Sequence, residues 1–214
     1  KVMGLAPYGK PTYLEAIKKH LIDVKEDRSF RLNLDYFDYC TGLRMTNERF
    51  DALFGGPPRS PESRLGQKEM DLAASVQAVT EEVVLKLASS VARETGERNL
   101  CLAGGVALNC VANGKLLRTG AFDRIWIQPA AGDAGGALGA ALGAYHMFKG
   151  GPRRLAGAGR DAMKGGYLGP VFDTAAICEQ LTAAGAVYEI LDDDAIVDRC
   201  ARALASGMAI GWHQ

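Results

Sequence analysis

The sequence predicts an α/β fold, and three observations carry that prediction. Two short apolar runs, 100–103 and 124–127, have the length and composition of buried parallel strands. Each run ends in a glycine-containing turn, and a helical pattern follows each turn. A long amphipathic segment precedes the first run. Two strand–turn–helix units in tandem predict that ligands bind at the carboxyl ends of the strands.

Composition limits the classes of function. The chain has 214 residues, enough for one or two domains, and 48% of them are hydrophobic, enough for a real core. It has 25 basic and 25 acidic residues, so bulk charge gives no support for a nucleic-acid or acidic-membrane partner. No apolar run is long enough to span a bilayer. The five cysteines form no C-x-x-C motif, which favours reduced thiols in a cytoplasmic protein.

The amino-terminal third mixes short elements with loops. Residues 1–10 predict a shaped loop, 11–20 a short helix, 30–34 a strand, 47–54 a second helix and 55–61 a loop. The longest predicted helix covers 68–94, and Gly96 is expected to end it. We expect this helix to pack on the strand at 100–103 through an apolar stripe at steps of three and four: Leu72, Val76, Val79, Val83, Leu87 and Val91.

The carboxyl-terminal third predicts a second domain. Residues 149–166 are rich in glycine and arginine and indicate a linker between a domain at 1–148 and the start of another at 167–214. Within 167–214, helices are expected at 173–184 and 192–206, and extended segments at 187–191 and 208–212. Asp192 or Asp193 is expected to cap the second helix. Because the sequence starts and stops inside patterned segments, we expect it to be a fragment of a longer protein.

Gly104 and Gly105 follow the first predicted strand. A glycine pair there lets the backbone approach a ligand closely, and the next helix would point its positive end at an anion. An ordinary tight turn explains the pair equally well. The polar and glycine residues Asn109, Asn113 and Gly114 oppose the propensity of the helix that follows, which favours a binding site.

Asp133 follows the second predicted strand, at the start of a Gly/Ala-rich helix. It is either the N-cap of that helix or a ligand for a cation that accompanies a nucleotide phosphate. The glycines of the helix leave one face nearly bare for close packing or for a ligand: Gly135, Gly136, Gly139 and Gly143. Lys1 flanks the first loop and is either a phosphate contact or a solvated lysine. The three histidines are isolated, and the sequence has no nucleophile–base pair, dinucleotide fingerprint or P-loop.

Three strings of residues together resemble one family. They are KVMGLAPYG from residue 1, LAGGVALNCVANGK from residue 102, and QPAAGDAGGALGAAL from residue 128. In this order they are similar to the nodulation-protein and antibiotic O-carbamoyltransferase (NodU/CmcH) family, which carbamoylates Nod factors, cephamycins and aminoglycosides such as tobramycin. The string GGYLGP, residues 165–170, also resembles the family's junction to its carboxyl-terminal domain.

The resemblance implies a fold and a reaction. The chain would hold the carboxyl-terminal half of an actin/sugar-kinase/Hsp70-like (ribonuclease H-like) domain, followed by the start of a YrdC-like α/β domain. The YrdC-like part would form carbamoyl adenylate from carbamoyl phosphate and ATP. The kinase-like part would bind that adenylate with a divalent metal, usually iron, and pass the carbamoyl group to a hydroxyl of a small-molecule acceptor. Neither a nucleic acid nor a membrane is an expected partner, and a homodimer is compatible with this hypothesis.

The same resemblance implies the site residues. Nucleotide contacts would come from Gly104, Gly105, Val106 and Asn109 at the first turn, and from Lys1, Gly4 and Gly9 in the first loop. Asp133 would be the carboxylate ligand of the metal; no catalytic residue is assigned.

The sequence departs from the family in two places. The family's H-x-x-x-H metal ligands are expected upstream of Lys1, and the basic nucleotide-binding residues of the YrdC-like domain after Gln214. We therefore expect the isolated fragment to transfer no carbamoyl group. Two alternatives stay open: a tRNA threonylcarbamoyl transferase-like enzyme, and a nucleotide-binding sensor or kinase-like protein of the same fold.

Overall fold

The computed structural model describes residues 2–154, 157 and 162–212, which fall into two compact units with a boundary after Gly166. The first unit contains helices α1 (Val2–Leu5), α2 (Leu14–His20), α3 (Glu48–Leu53), α4 (Gln67–Thr95), α5 (Cys110–Arg118) and α6 (Gly135–Gly143), and strands β1 (Ile22–Val24), β2 (Phe30–Leu32), β3 (Asn99–Leu102) and β4 (Arg124–Ile127). The second contains helices α7 (Thr174–Ala183) and α8 (Asp193–Ala205). The structure is therefore α/β, as predicted.

Helix α4 is the centre of the first unit, because α1, α2 and α5 all pack against it. It begins after Gly66, whose N–H donates to the Glu69 carboxylate at 2.8 Å. It ends at Gly96, which has φ 69° and donates its N–H to the Ala92 carbonyl at 3.0 Å. The predicted helix and its glycine stop are confirmed.

The predicted packing of α4 is only partly correct. Val79 and Val83 are buried, but they pack with Ile17, Leu21 and Phe54 rather than on the strands. A neighbouring face of α4 meets the β3–β4 layer, and it is formed by Leu85, Ala88 and Ala92. Val76 and Val91 of the expected stripe are 41% and 43% exposed. A helix covered on several sides buries more than one stripe, so a single 3.6-residue period does not describe it.

Strands β3 and β4 form a parallel pair in which Leu100 lies opposite Ile125 and Leu102 opposite Ile127. Helix α5 connects them, as in the predicted strand–turn–helix unit. Strands β1 and β2 form a separate antiparallel hairpin. The predicted strand at 30–34 is shorter than expected, because the Asn33 side chain caps a 3₁₀ turn, Leu34–Tyr36, by accepting the Asp35 N–H.

The second unit keeps its predicted helices. Asp173 caps α7 and Asp192 caps α8, each by accepting a backbone N–H at 2.8 Å. The expected extended segments at 187–191 and 208–212 are not strands, because the described part of this unit offers neither of them a partner for ladder hydrogen bonds.

All five cysteines are free. Cys101 and Cys110 are exposed, although their neighbours in sequence are apolar. A search of the described residues finds no helix of the length and hydrophobicity that crossing a membrane requires.

Candidate functional site

The turns that follow β3 and β4 lie side by side. The Gly104 N–H donates to the Ala131 carbonyl at 2.9 Å, and the Gln128 N–H donates to the Leu102 carbonyl at 3.0 Å. A Cβ on Gly132 would lie 3.9 Å from Cδ1 of Leu108, which follows the other turn. The Gly104–Gly105 motif and the Asp133 motif, which are separate in the sequence, therefore lie together at one edge of the sheet, at the carboxyl ends of two parallel strands.

Gly104 needs to be glycine for its backbone rather than for space. Its φ is 95°, in the left-handed region, and a Cβ there would meet nothing within 4 Å. A 3₁₀ turn, Gly105–Leu108, follows, so α5 begins only at Cys110 and not directly after the glycine pair. Within the described part of the chain, the N–H groups of Gly105 and Val106 have no acceptor.

Asn109 lies at the start of α5 and not within it. Its Oδ1 accepts the Ala112 N–H at 3.1 Å, so Asn109 is the N-cap of α5. Asn113 donates from Nδ2 to the Ala107 carbonyl at 2.7 Å. The prediction that Asn109 lies inside the helix against its propensity was therefore wrong, because the N-cap is a position that asparagine favours. Both side chains hold the 3₁₀ turn against α5.

A buried polar network on α4 holds Asn109, the residue that follows the 3₁₀ turn. The sequence did not predict this network. Gln77 and Asn109 exchange two hydrogen bonds: Gln77 Nε2 to Asn109 Oδ1 at 3.1 Å, and Asn109 Nδ2 to Gln77 Oε1 at 2.9 Å. Gln77 Nε2 also donates to Glu81 Oε1 at 2.8 Å, and Glu81 Oε2 pairs with Lys115 of α5. Gln77 and Glu81 are each 8% exposed. Because α4 carries polar residues along its whole length, no signal in the sequence distinguishes these two.

The amino-terminal segment is fixed to the amino-terminal part of α4. The Lys10 N–H donates to Asp71 Oδ1 at 2.7 Å, and the Tyr13 N–H donates to Ser75 Oγ at 3.0 Å. Ser75 is completely buried. The hydrogen bond from the Lys10 N–H, together with one from the Gln67 side chain, lowers the pKa of the Asp71 carboxyl.

The glycines predicted to line the nucleotide site occupy different surroundings. Gly4 lies in α1 beside Met3, whose Sδ is 3.8 Å from Sγ of Cys110 at the start of α5, and a Cβ on Gly4 would meet nothing within 4 Å. Gly9 is pressed against α4, where a Cβ would lie 2.0 Å from the Met70 carbonyl oxygen. Close packing on α4 is therefore a sufficient reason for Gly9. Lys1 lies outside the described residues.

Asp133 is exposed and does not cap α6. The N-cap position is Ala134, which makes no side-chain cap, so the N-cap hypothesis for Asp133 is wrong. Its carboxylate has no partner among the residues that the structure describes. Those residues also contain no group of three His, Cys, Asp or Glu side chains that could hold a metal ion. Asp133 can supply one ligand, and the described part of the chain does not complete the set.

The bare face of α6 is also present. A Cβ on Gly136, Gly139 or Gly143 would meet nothing within 4 Å. Gly135 differs, because its Cβ would lie 2.0 Å from the Ala130 carbonyl oxygen, so the turn before α6 closes tightly around it.

A cavity of about 870 Å³ lies away from these turns and is bounded by α2, the β1–β2 hairpin and α4. Glu82 at its rim pairs with both Lys18 and Lys86. A smaller cavity of about 390 Å³ does lie against the turn after β3, between Ala107 and Leu108 of the 3₁₀ turn, α5 and Ile127 of β4.

The fold and these turns define an α/β domain with a candidate anion site at the edge of a parallel sheet. Residues 1–142 match the family model described as "Carbamoyltransferase N-terminus". The chain therefore belongs to the carbamoyltransferase family. Both strand-end turns and the segment docked on α4 lie inside the matched range.

Relatives with curated names agree with this assignment. The whole chain is 56% identical to "Uncharacterized protein sll1178" of Synechocystis, covering 35% of that protein. It is 37% identical to "Nodulation protein NolNO" of Sinorhizobium fredii and to "Nodulation protein NolO" of Bradyrhizobium diazoefficiens, covering 29% and 36% of those proteins. The chain thus spans about a third of the length of these relatives.

Proposed function

We propose that the full-length protein containing this chain is an ATP-dependent O-carbamoyltransferase. It would move a carbamoyl group from carbamoyl phosphate, through carbamoyl adenylate, to a hydroxyl of a small molecule or sugar. The observation that carries the proposal is the hydrogen bond from Gly104 to Ala131, which joins two turns that both lie in the part matching the carbamoyltransferase family.

The finer description of the fold is part of this proposal. Residues 1–148 would belong to an actin-like, kinase-like domain, 149–166 would be a linker, and 167–214 would begin a YrdC-like domain. The parallel pair of strands joined by α5 is compatible with the first of these. The protein would act in the cytoplasm.

The turn after β3, residues 104–108, has hydrogen-bond donors that suit an adenylate. The free N–H groups of Gly105 and Val106 are donors for a phosphate or for an oxygen that gains negative charge. In the transfer step, the acceptor oxygen would form a bond to the carbamoyl carbon while the bond from that carbon to the AMP phosphate oxygen breaks. AMP leaves with the electron pair, and the hydroxyl proton passes to a base. Donors at the turn would stabilise the leaving phosphate.

Asp133 would be one ligand of a divalent metal, which we propose to be iron. Its exposed and unpartnered carboxylate, in the turn that is bonded through Ala131 to the turn carrying Gly105 and Val106, supports this role. A bound metal would supply positive charge beside the phosphate. Since the described residues offer no complete ligand set, no step of the transfer is assigned to the metal.

The alternatives are not favoured by the comparisons. Family and relatives concern carbamoyltransferases and nodulation proteins, rather than enzymes that modify tRNA or nucleotide sensors. The neutral net charge also offers no support for a tRNA partner.

The test uses the full-length protein with ATP, carbamoyl phosphate and a panel of hydroxyl-bearing acceptors. Mass spectrometry is expected to detect carbamoyl adenylate and a product heavier than the acceptor by one carbamoyl group. Formation of both must require ATP and carbamoyl phosphate. ATP binding that is indifferent to carbamoyl phosphate would instead support a sensor.

Asp133→Ala tests the metal ligand, and Asp123→Ala is the matched control. Asp123 is an exposed carboxylate at the opposite end of β4, paired with Arg98. We expect Asp133→Ala to lose bound metal and transfer, and Asp123→Ala to keep both. Retention of metal by Asp133→Ala would contradict the assignment. Residues 1–214 expressed alone are expected to give no carbamoylated product.

A further inference from the structure

Gln77 is a buried polar residue in the middle of α4 that neither the family assignment nor the proposed reaction uses. It is 8% exposed, and every polar group of its side chain has a partner. Nε2 donates to Asn109 and to Glu81, and Oε1 accepts from Asn109. A glutamine amide has two donor hydrogens, and both are used here.

These bonds fix the orientation of Asn109. Its Oδ1 accepts from Gln77 Nε2 while also capping α5 through the Ala112 N–H at 3.1 Å. Its Nδ2 donates back to Gln77. Asn109 immediately follows the 3₁₀ turn that carries the free N–H groups of Gly105 and Val106. The direction of those donors therefore depends on where α4 holds Asn109.

Gln77 is itself held in place by a charged pair. Glu81 accepts from Gln77 through Oε1 and pairs through Oε2 with Lys115 on α5. The Glu81 side chain is 11% exposed and that of Lys115 is 45% exposed. Helix α5 is thus joined to α4 at two points, Asn109 and Lys115, and Gln77 connects them. Networks of this kind lose more than one bond when a central member is removed.

We infer that Gln77 is a positioning residue for the nucleotide site, acting through Asn109 on the backbone donors of Gly105 and Val106. The inference rests on the proposed function, because it takes the ligand of those donors to be an adenosine nucleotide phosphate. Gln77 touches no substrate. Its role is to keep the first turn in the conformation that binds before the ligand arrives.

The test compares Gln77→Met with Glu82→Gln in the full-length protein. Methionine has nearly the shape of glutamine but cannot hold Asn109, and it leaves Asn109 Nδ2 without its acceptor and Glu81 Oε1 without its donor. Glu82 is a neighbour on α4 whose ion pairs with Lys18 and Lys86 lie away from the turn. Affinity for a non-reactive carbamoyl adenylate analogue, the ligand assigned to this turn, is measured by calorimetry, and the unfolding temperature is measured in parallel.

Both variants are expected to lower the unfolding temperature, but only Gln77→Met is expected to weaken binding of the adenylate analogue, by about tenfold. Formation of carbamoyl adenylate from ATP and carbamoyl phosphate should keep its wild-type rate while transfer to the acceptor falls, because the donors act on the adenylate after it has formed. If Gln77→Met yields no folded protein, Gln77→Asn takes its place, with a smaller loss of the same kind.

Two results would overturn the inference. One is wild-type affinity for the adenylate analogue in the folded Gln77 variant, and the other is an equal loss in the Glu82 variant, which would show a general effect of stability. Both leave the proposed function standing if the wild-type protein transfers carbamoyl groups. A wild-type protein that binds no ATP and transfers nothing would remove the proposed function and the inference together.

Discussion

Substitution of two glycines in the first ten residues separates packing from ligand binding. At Gly9, the added Cβ of alanine would lie 2.0 Å from the Met70 carbonyl oxygen and 2.6 Å from the Asp71 nitrogen, where ordinary contacts begin at about 3.4 Å. Both atoms belong to the backbone of α4, so no side-chain rotation relieves the overlap. The φ of Gly9 is −114°, so alanine meets no backbone strain and the whole effect is steric.

The magnitude follows from the atoms that must move. Overpacking against a rigid backbone costs about 1–3 kcal/mol, and we expect Gly9→Ala to be destabilised by that amount. Gly4→Ala is the matched control: its Cβ would meet nothing within 4 Å. Since Gly4 lies inside α1, alanine there should be neutral or stabilising by up to about 1 kcal/mol.

The assay is thermal unfolding of the full-length variants, with affinity for a non-reactive carbamoyl adenylate analogue measured in parallel. Gly9→Ala should unfold at a lower temperature than wild type, and Gly4→Ala should not. Equal unfolding temperatures for the two variants would refute the packing argument. A loss of affinity for the analogue in Gly4→Ala without a loss of stability would support the proposed role of Gly4 at the nucleotide.

Two further predictions concern the charges that hold α4. The pKa of Asp71 is lowered by the Lys10 N–H, so its contribution to docking the first segment is complete above the ordinary carboxyl value of 3.8 and is lost as pH falls through the lower folded value. The acid-side fall of the unfolding temperature should therefore be shallower in Asp71→Ala than in wild type, and parallel curves would contradict this. Lys115→Met would leave the buried Glu81 carboxylate without its cation. We expect it to destabilise the protein by about 1–3 kcal/mol, measured by denaturant unfolding, whereas Glu81→Gln together with Lys115→Met should recover part of the loss.

Local pattern was sufficient for most of the elements. The strands at β3 and β4, the helix α4 with its stop at Gly96, and the cap at Asp192 all depend on residues near in sequence, so spacing and turn chemistry predict them. The extended segments at 187–191 and 208–212 failed because a strand also requires a partner, which no local pattern supplies. The same limit explains why Val76 and Val91 were wrongly predicted to be buried. Their exposure depends on which other elements pack on α4, and the pattern of α4 alone does not show this.

The candidate site was predicted in part for the same reason. Local sequence identified Gly104 as a candidate because a glycine pair follows a strand, and Asp133 because it lies in the turn after the next strand. Asn109 was misread because a 3₁₀ turn before α5 moves the helix start, which the composition of 104–114 does not reveal. Gln77 and Glu81 could not be assigned, since their partners Asn109 and Lys115 are 32 and 34 residues away. Only the packing of α5 on α4 brings these residues together.

The attachment of the first segment to α4 has a consequence for how the chain can vary. The Lys10 N–H donates to Asp71, 61 residues further along the chain. The segment between these two residues is therefore a loop whose two ends are held together on α4. Closing a longer loop costs little more free energy, because doubling the length of a flexible loop adds only about 0.6 kcal/mol of lost chain entropy. Insertions between α3 and α4, where residues 57–66 are exposed, can therefore accumulate without shifting either strand-end turn. Length in this stretch is free to diverge among relatives while the edge formed by Gly104 and Ala131 keeps its shape.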